Sequence, residues 1–149
     1  MPQSLRLPSG DVVAVTPATT TKGALEVPDA ADTSGWWDGS ARAGEAFGST
    51  VIAGHVDTAA VGLAPFAQLL DARVGDVVSI EGSGHRLDYR VTRISTVDKD
   101  VLATSGDALS QAGAHRLTLI TCTGTWDPAT RHYDSNLVVT ALPMGPATG

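Results

Sequence analysis

The stretch Leu87-Asp-Tyr-Arg-Val-Thr-Arg-Ile-Ser-Thr-Val97 gives the strongest indication of the fold. Its first half alternates between apolar residues, at Leu87, Tyr89 and Val91, and polar residues, at Asp88, Arg90 and Thr92. Successive side chains of a β-strand point to opposite faces, so this alternation is typical of a half-buried antiparallel strand. The stretch therefore predicts a fold that contains a β-sheet.

Similar short stretches occur on both sides of it. They are rich in Val, Ile, Leu and Thr and are bounded by Gly, Pro, Asp or Ser, as strands commonly are. They cover residues 5–7, 12–16, 24–27, 49–54, 76–81, 116–122 and 137–142. Within them, residues 51–53 and 117–120 are apolar enough to be buried on both faces. Eight or so strands suit a barrel or a sandwich, and helical spacing is confined to 64–72 and 105–112. We therefore expect an all-β fold with one or two short helices.

The size and composition of the chain fit one globular domain. The chain has 149 residues, of which 42% are hydrophobic and 17% charged, and this is enough to bury one core. We predict a single domain over 1–149, with an ordered core at about 5–142 and a Pro- and Gly-rich tail at 143–149. The net charge of −6, without any cluster of Lys and Arg, argues against nucleic acid as a partner.

Cys122 is the only cysteine in the sequence. It ends an apolar stretch and is followed by Thr-Gly-Thr, so we expect it where a strand opens into a loop. A lone cysteine can be a small buried hydrophobic residue or a nucleophile. Its position favours access to solvent, and both interpretations stay open at this point.

His55 has a similar position, because it follows the apolar stretch 49–54. A cysteine and a histidine that are distant in sequence and adjacent in the fold are expected for a thiolate nucleophile, since the imidazole can exchange its proton. A surface or capping histidine is the alternative. His132 is the main rival as the base, because the ten residues from Cys122 to His132 could fold back as a loop. None of His85, His115 and His132 follows so apolar a strand as His55 does.

Arg131 is the only arginine after Cys122, and it precedes the last predicted strand. Attack on an amide creates an oxyanion, which a guanidinium stabilises with fixed donors. A solvated loop arginine is the alternative. No group of His, Cys or carboxylate residues has the spacing of a metal site, and Asp98 and Asp100 beside Lys99 make a weak calcium site. We therefore expect no metal and no other cofactor.

These motifs together resemble the sortase family. The resemblance rests on Thr118-Leu-Ile-Thr-Cys122, on Ile52-Ala-Gly-His-Val-Asp57 and on an arginine before the final strand. Finer features are similar to the class F sortases of actinobacteria: Gly23-Ala-Leu-Glu-Val-Pro28, Gly35-Trp-Trp37, Trp126-Asp127 and Asn136-Leu-Val-Val139. The resemblance extends from about residue 5 to about residue 141.

The resemblance implies a closed eight-stranded β-barrel with the active site at strand ends. It implies Cys122 as the nucleophile, His55 as general acid and then base, and Arg131 as the transition-state arginine. Family members often carry a second basic residue where this chain has Asp134 and Ser135. The family also implies a place on the extracellular face of the membrane, facing the cell wall. Contact with the membrane is then expected only through an N-terminal anchor, because no apolar run here approaches the roughly 18 residues of a span.

The activity implied is transpeptidation. The enzyme would cleave a Leu-Pro-any-Thr-Gly-like (LPXTG-like) sorting signal between Thr and Gly through a Cys122 thioester. It would then transfer the acyl group to an amine of peptidoglycan or of a pilin. We expect the peptide to contact Thr121, Val101, Leu102, Trp126 and Asn136, with Trp126 alternatively packed on the barrel rim. The alternatives are a cysteine hydrolase on the same barrel and a non-catalytic β-barrel binding module.

Overall fold

The computed structural model describes thirteen segments of the chain: residues 4–8, 10–18, 20–21, 24–25, 33–37, 48–54, 57–58, 62–63, 69, 72–82, 85–98, 114–127 and 132–144. For some of them, including 122–127 and 132–136, the backbone alone is described.

Twelve strands lie in these segments. In chain order they are β1 (Ser4–Arg6), β2 (Val12–Ala18), β3 (Thr20–Thr21), β4 (Ala24–Leu25), β5 (Thr33–Trp37), β6 (Ser49–Ala53), β7 (Asp57–Thr58), β8 (Gly62–Leu63), β9 (Val77–Gly82), β10 (His85–Asp98), β11 (Arg116–Asp127) and β12 (His132–Pro143). Eight of them close a barrel in the order β1-β2-β5-β6-β11-β12-β10-β9. Neighbouring strands of the barrel are antiparallel except β2–β5 and β6–β11, which are parallel. The predicted all-β fold and closed eight-stranded barrel are confirmed.

One of the predicted strands lies outside the barrel. Residues 24–27 were predicted to form a strand, and Ala24–Leu25 do form β4, but β4 pairs only with β3 in a separate two-stranded sheet. The barrel uses β5 in its place, between β2 and β6. Serine and glycine in the centre of β5 lower its β-propensity, which hid it from the sequence pattern. The buried Ser34 hydroxyl is accommodated because it donates a hydrogen bond to the carbonyl oxygen of Ala14 at 3.0 Å.

The alternation predicted for β10 holds in its first half and then reverses. Tyr89 and Val91 are buried. The pairing of β10 with β12 shifts between Val91 and Arg93, so Thr92 is an extra residue on the β10 side. Such a bulge exchanges the faces of all the residues that follow it. Ile94 therefore packs against the core, whereas Arg93 is exposed.

The two predicted helices fall mainly outside the described residues. Residues 105–112 lie there entirely, and within 64–72 only Leu69 and Ala72 are described. The backbone N–H of Ala72 donates to the Leu69 carbonyl oxygen at 3.2 Å. Leu69 is 1% exposed and belongs to the core. The described segments contain no α-helix, and therefore no helix long and apolar enough to cross a membrane.

The barrel interior holds the main hydrophobic core. Its large fully buried side chains include Tyr89, Leu5, Ile52, Leu117 and Leu119. A second cluster joins Val51, Ala53 and Ile120, with Trp37 packed against it. Its members alternate with the interior residues along β6 and β11, so this cluster lies on the outer face of these strands. The two strands are thus buried on both faces, as predicted for 51–53 and 117–120.

Thr50 and Thr118 provide a matched test of hydrogen bonding in this strand pair. Thr50 Oγ1 is buried and has no hydrogen-bond partner among the described residues. Thr118 Oγ1 lies 2.6 Å from Ser49 Oγ. Valine keeps the shape of threonine and removes its hydroxyl. We expect Thr50→Val to raise the free energy of unfolding by about 1 kcal/mol and Thr118→Val to lower it by about 1–2 kcal/mol. Urea denaturation measures both changes, and a loss of stability in Thr50→Val would contradict the first.

Candidate active site

The parallel pair β6–β11 positions both candidate catalytic segments. Five residue pairs join the two strands, from Ser49 with Arg116 to Ala53 with Ile120. Parallel strands run in the same direction, so the segments that follow these pairs leave the sheet at the same end. On β6 that continuation is Gly54 and then His55, and on β11 it is Thr121 and then Cys122. The pairing therefore directs both candidate residues to one end of the barrel.

Gly54 is hydrogen-bonded to β11 through both of its backbone polar groups. Its N–H donates to the carbonyl oxygen of Ile120 at 3.1 Å. Its carbonyl oxygen accepts a hydrogen bond from the Thr121 hydroxyl at 2.9 Å. Thr121 is 1% exposed, so this bond is shielded from competition with water. The residue before His55 is thus held against the residue before Cys122.

The beginnings of the same two strands are joined through His115. Its Nδ1 lies 3.1 Å from the carbonyl oxygen of Gly48, which can only accept, so Nδ1 carries a proton. In the neutral ring Nε2 is then an acceptor, and the Tyr89 hydroxyl donates to it at 2.8 Å. His115 is 6% exposed. It precedes Cys122 by seven residues, about 23 Å along a strand, and is therefore a structural histidine.

Cys122 lies within β11 rather than at its end. The predicted strand ends at Cys122, but β11 continues to Asp127 because β12 pairs with it as a hairpin. Thr123-Gly124-Thr125 resembled a loop because it contains glycine. Its register with β12 is in fact irregular, shifting between Thr123 and Trp126. On the β6 side the regular pairing stops earlier, at Ile120, so Cys122 lies beyond the last pair.

The structure describes some of the other predicted site residues and rival histidines, but not all of them. Asn136 pairs directly with Cys122, and Trp126 pairs with Tyr133. The rival His132 begins β12 opposite Asp127, four residues from Asn136. The rival His85 begins β10 opposite Gly82. His55, Arg131, Val101 and Leu102 lie outside the described residues, so their roles stay predictions.

The contact between Thr121 and Gly54 was not predicted from the sequence. Thr121 was expected only to contact the peptide. The available signal was the similar placement of Gly-His and Thr-Cys after two apolar stretches. That similarity did not reveal which strand pairs with which, or in what register.

One titratable group in the described segments has a shifted pKa. The shifted carboxyl is Asp88, where hydrogen bonds from Ser79 and then from Arg86 lower the pKa. Asp88 lies in the part of β10 that pairs with β9, away from Cys122. No group of three or more His, Cys, Asp and Glu side chains within these segments could hold a metal ion.

A cysteine strand of the barrel is paired with a strand that leads into a histidine, which is the arrangement expected of an enzyme with a thiolate nucleophile. The chain belongs to the sortase family, since the Sortase domain model matches residues 5–144. Sortases are cysteine transpeptidases that act at the cell surface or cell wall on sorting signals and amine acceptors. No curated protein matches the sequence.

Solved sortase structures share this fold. Sortase C of Streptococcus pneumoniae superposes with a TM-score of 0.71 at 18% identity, over 98% of this chain and 67% of that one. A lid mutant of sortase A from Corynebacterium diphtheriae gives 0.71 at 25% identity, over 95% and 69%. Sortase A of Listeria monocytogenes gives 0.70 at 18% identity, over 98% and 89%. Similarity to both class A and class C members supports the barrel fold.

Proposed function

We propose that this chain is a sortase of the class F type, folded as one domain over 1–149, whose Cys122 attacks an LPXTG-like sorting signal. The observation that carries the proposal is the parallel pairing of β6 with β11. This pairing brings the segment before His55 against the segment before Cys122, as their hydrogen bonds at Gly54 indicate.

The reaction proceeds in two steps. The Cys122 thiolate forms a bond to the Thr carbonyl carbon, the Thr–Gly amide bond breaks, and His55 gives a proton to the departing amine. An acceptor amine then attacks the thioester, His55 takes its proton, and the thiolate leaves. Covalent catalysis divides one difficult amide exchange into two easier steps. The acceptor is an amine of peptidoglycan or of a pilin, and the site faces the cell wall from the extracellular side of the membrane.

Peptide binding involves the region around the two strand ends. Asn136 and Trp126 are candidates because they lie on the hairpin that contains Cys122. Val101 and Leu102 are proposed as a wall of the groove for the apolar end of the signal.

Arg131→Ala is expected to lower turnover on the order of 10²–10³-fold, because it removes a donor to the oxyanion that forms in both steps. The measurement is the steady-state rate of peptide transfer to triglycine. Arg131→Lys serves as the matched variant: it keeps the positive charge and loses the two-pronged donor geometry, so it should recover only part of the rate. If Arg131→Ala lowers turnover by less than a few-fold, another group stabilises the oxyanion.

Transfer and hydrolysis are distinguished by the acceptor. The purified chain is incubated with a labelled sorting peptide, with and without triglycine. Product that depends on triglycine supports a transpeptidase, whereas cleavage that ignores triglycine supports a cysteine hydrolase. Membership of the sortase family does not favour the binding module, and absence of any covalent adduct across several sorting peptides would contradict the proposal.

A further inference from the structure

We infer that the Thr121 hydroxyl is a positioning group for the reaction, which fixes the place of His55 relative to Cys122 through its hydrogen bond to the Gly54 carbonyl. This inference rests on the proposed roles of Cys122 and His55, and it gives Thr121 a function other than contact with the peptide.

The first argument is the register of the two strands. In each of the five pairs between β6 and β11 the residue numbers differ by 67. Positions 55 and 122 differ by the same 67. A register held constant up to Gly54 and Thr121 would therefore bring His55 level with Cys122. The hydrogen bond between Gly54 and Thr121 joins the two strands one residue before the level of His55 and Cys122.

The second argument is the planarity of the peptide unit. The carbonyl oxygen of Gly54 shares one rigid plane with the amide nitrogen and Cα of the next residue, His55. A donor that holds this oxygen therefore restricts the orientation of the whole unit. The donor itself, Thr121, is joined by another such unit to Cys122. One hydrogen bond thus connects the peptide units that lead to the two reacting residues.

The third argument is where the regular pairing stops. The last backbone hydrogen bond described between these segments runs from Gly54 N–H to the Ile120 carbonyl. In a regular parallel ladder the Gly54 carbonyl would next accept from the backbone N–H of residue 122. The Thr121 hydroxyl bonds to this same carbonyl at 2.9 Å. A buried side chain therefore supports the strand ends beyond the last regular pair.

The test compares Thr121→Val and Thr121→Ala, which lack the hydroxyl, with Thr121→Ser, which retains it. A displacement of about 1 Å in a catalytic pair can cost on the order of 10²-fold. We therefore expect kcat for transfer to fall by about 10- to 100-fold in the first two variants, with KM changed less than two- to three-fold, and Thr121→Ser to stay within a few-fold of wild type.

Thr118→Val is the matched control, because it removes a buried side-chain hydrogen bond between the same two strands away from the strand ends. It should lose comparable stability and keep wild-type kcat. Thermal unfolding shows which variants are folded at the assay temperature. Two hydroxyl-free variants are used so that poor folding of one leaves the other to decide.

A second readout follows the thiol without any peptide. The rate at which iodoacetamide alkylates Cys122 is measured against pH in the wild type, in His55→Ala and in the Thr121 variants. We expect Thr121→Val and Thr121→Ala to shift the profile towards that of His55→Ala, and Thr121→Ser and Thr118→Val to leave it unchanged. This readout still applies if the wild type transfers no sorting peptide, so failure of the proposed function is distinguishable from failure of the positioning role.

Two outcomes would overturn the inference. One is a wild-type kcat and alkylation profile in folded Thr121→Val or Thr121→Ala. The other is a rise in KM at constant kcat, which would assign the hydroxyl to peptide binding instead.

Discussion

Cys122→Ala is expected to abolish the covalent adduct with a sorting peptide and to lower transfer to triglycine by about 10⁴-fold or more. Alanine has no nucleophilic atom, and Cys122 is the only cysteine in the chain, so no other thiol can form the thioester. Intact-protein mass spectrometry after rapid acid quenching measures the adduct directly. Chromatography of the labelled peptide measures transfer.

The control for this variant separates chemistry from folding and binding. Cys122→Ala should keep the thermal midpoint of the wild type within a few degrees and should still bind the peptide, measured by fluorescence anisotropy. A peptide adduct of the expected mass on Cys122→Ala would show that another residue is the nucleophile. If Cys122→Ala does not fold, Cys122→Ser is tested instead; it should fold and form no thioester.

His55→Ala is expected to lower the rate of transfer by about 10²–10⁴-fold, since it removes the group that we propose protonates the departing amine and deprotonates the acceptor. His132→Ala is the matched variant: the same change at the rival histidine, which pairs with Asp127 rather than near Cys122. Its expected effect is less than a few-fold. The steady-state rate with saturating triglycine is the measurement for both.

Addition of free imidazole tests whether the loss of activity in His55→Ala is due to the missing ring. Free imidazole should restore part of the activity of His55→Ala, because it can occupy the space of the lost ring and exchange a proton, and it should not restore Cys122→Ala. If His132→Ala proves as damaging as His55→Ala, the general base assigned to this enzyme is incorrect.

Local sequence patterns predicted the strands that alternate or are continuously apolar, and they failed where a strand lacks that pattern. Tyr89 and Val91 were predicted to be buried from their spacing, and they are. β5 was missed because Ser34 and Gly35 interrupt it, although Trp36 is buried in the core. The reversal after Thr92 was also missed, because a bulge is a property of two paired strands and the sequence of one of them does not specify it.

In the candidate site, too, local patterns could be predicted from the sequence, whereas contacts between strands could not. Cys122 and His55 could be proposed as the catalytic pair because each follows an apolar stretch in a recognisable motif. The hydrogen bond from Thr121 to Gly54 could not, because the pairing of β6 with β11 depends on the packing of both faces of these strands against the rest of the barrel. Val51 is buried on the outer face of the barrel and Ile52 in its interior. Both burials are needed to specify the register of β6 against β11.

The parallel pairing of β6 with β11 also has a consequence for the folding pathway. Hairpins such as β11–β12 connect near neighbours in sequence, whereas β6 and β11 must enclose a long loop before they pair. Closing a long loop costs entropy before any contact compensates for it, so such pairings form slowly and late. We therefore expect the newly made chain to hold an ordinary cysteine until the barrel closes. Folding would then activate the thiol, as removal of a propeptide activates a zymogen.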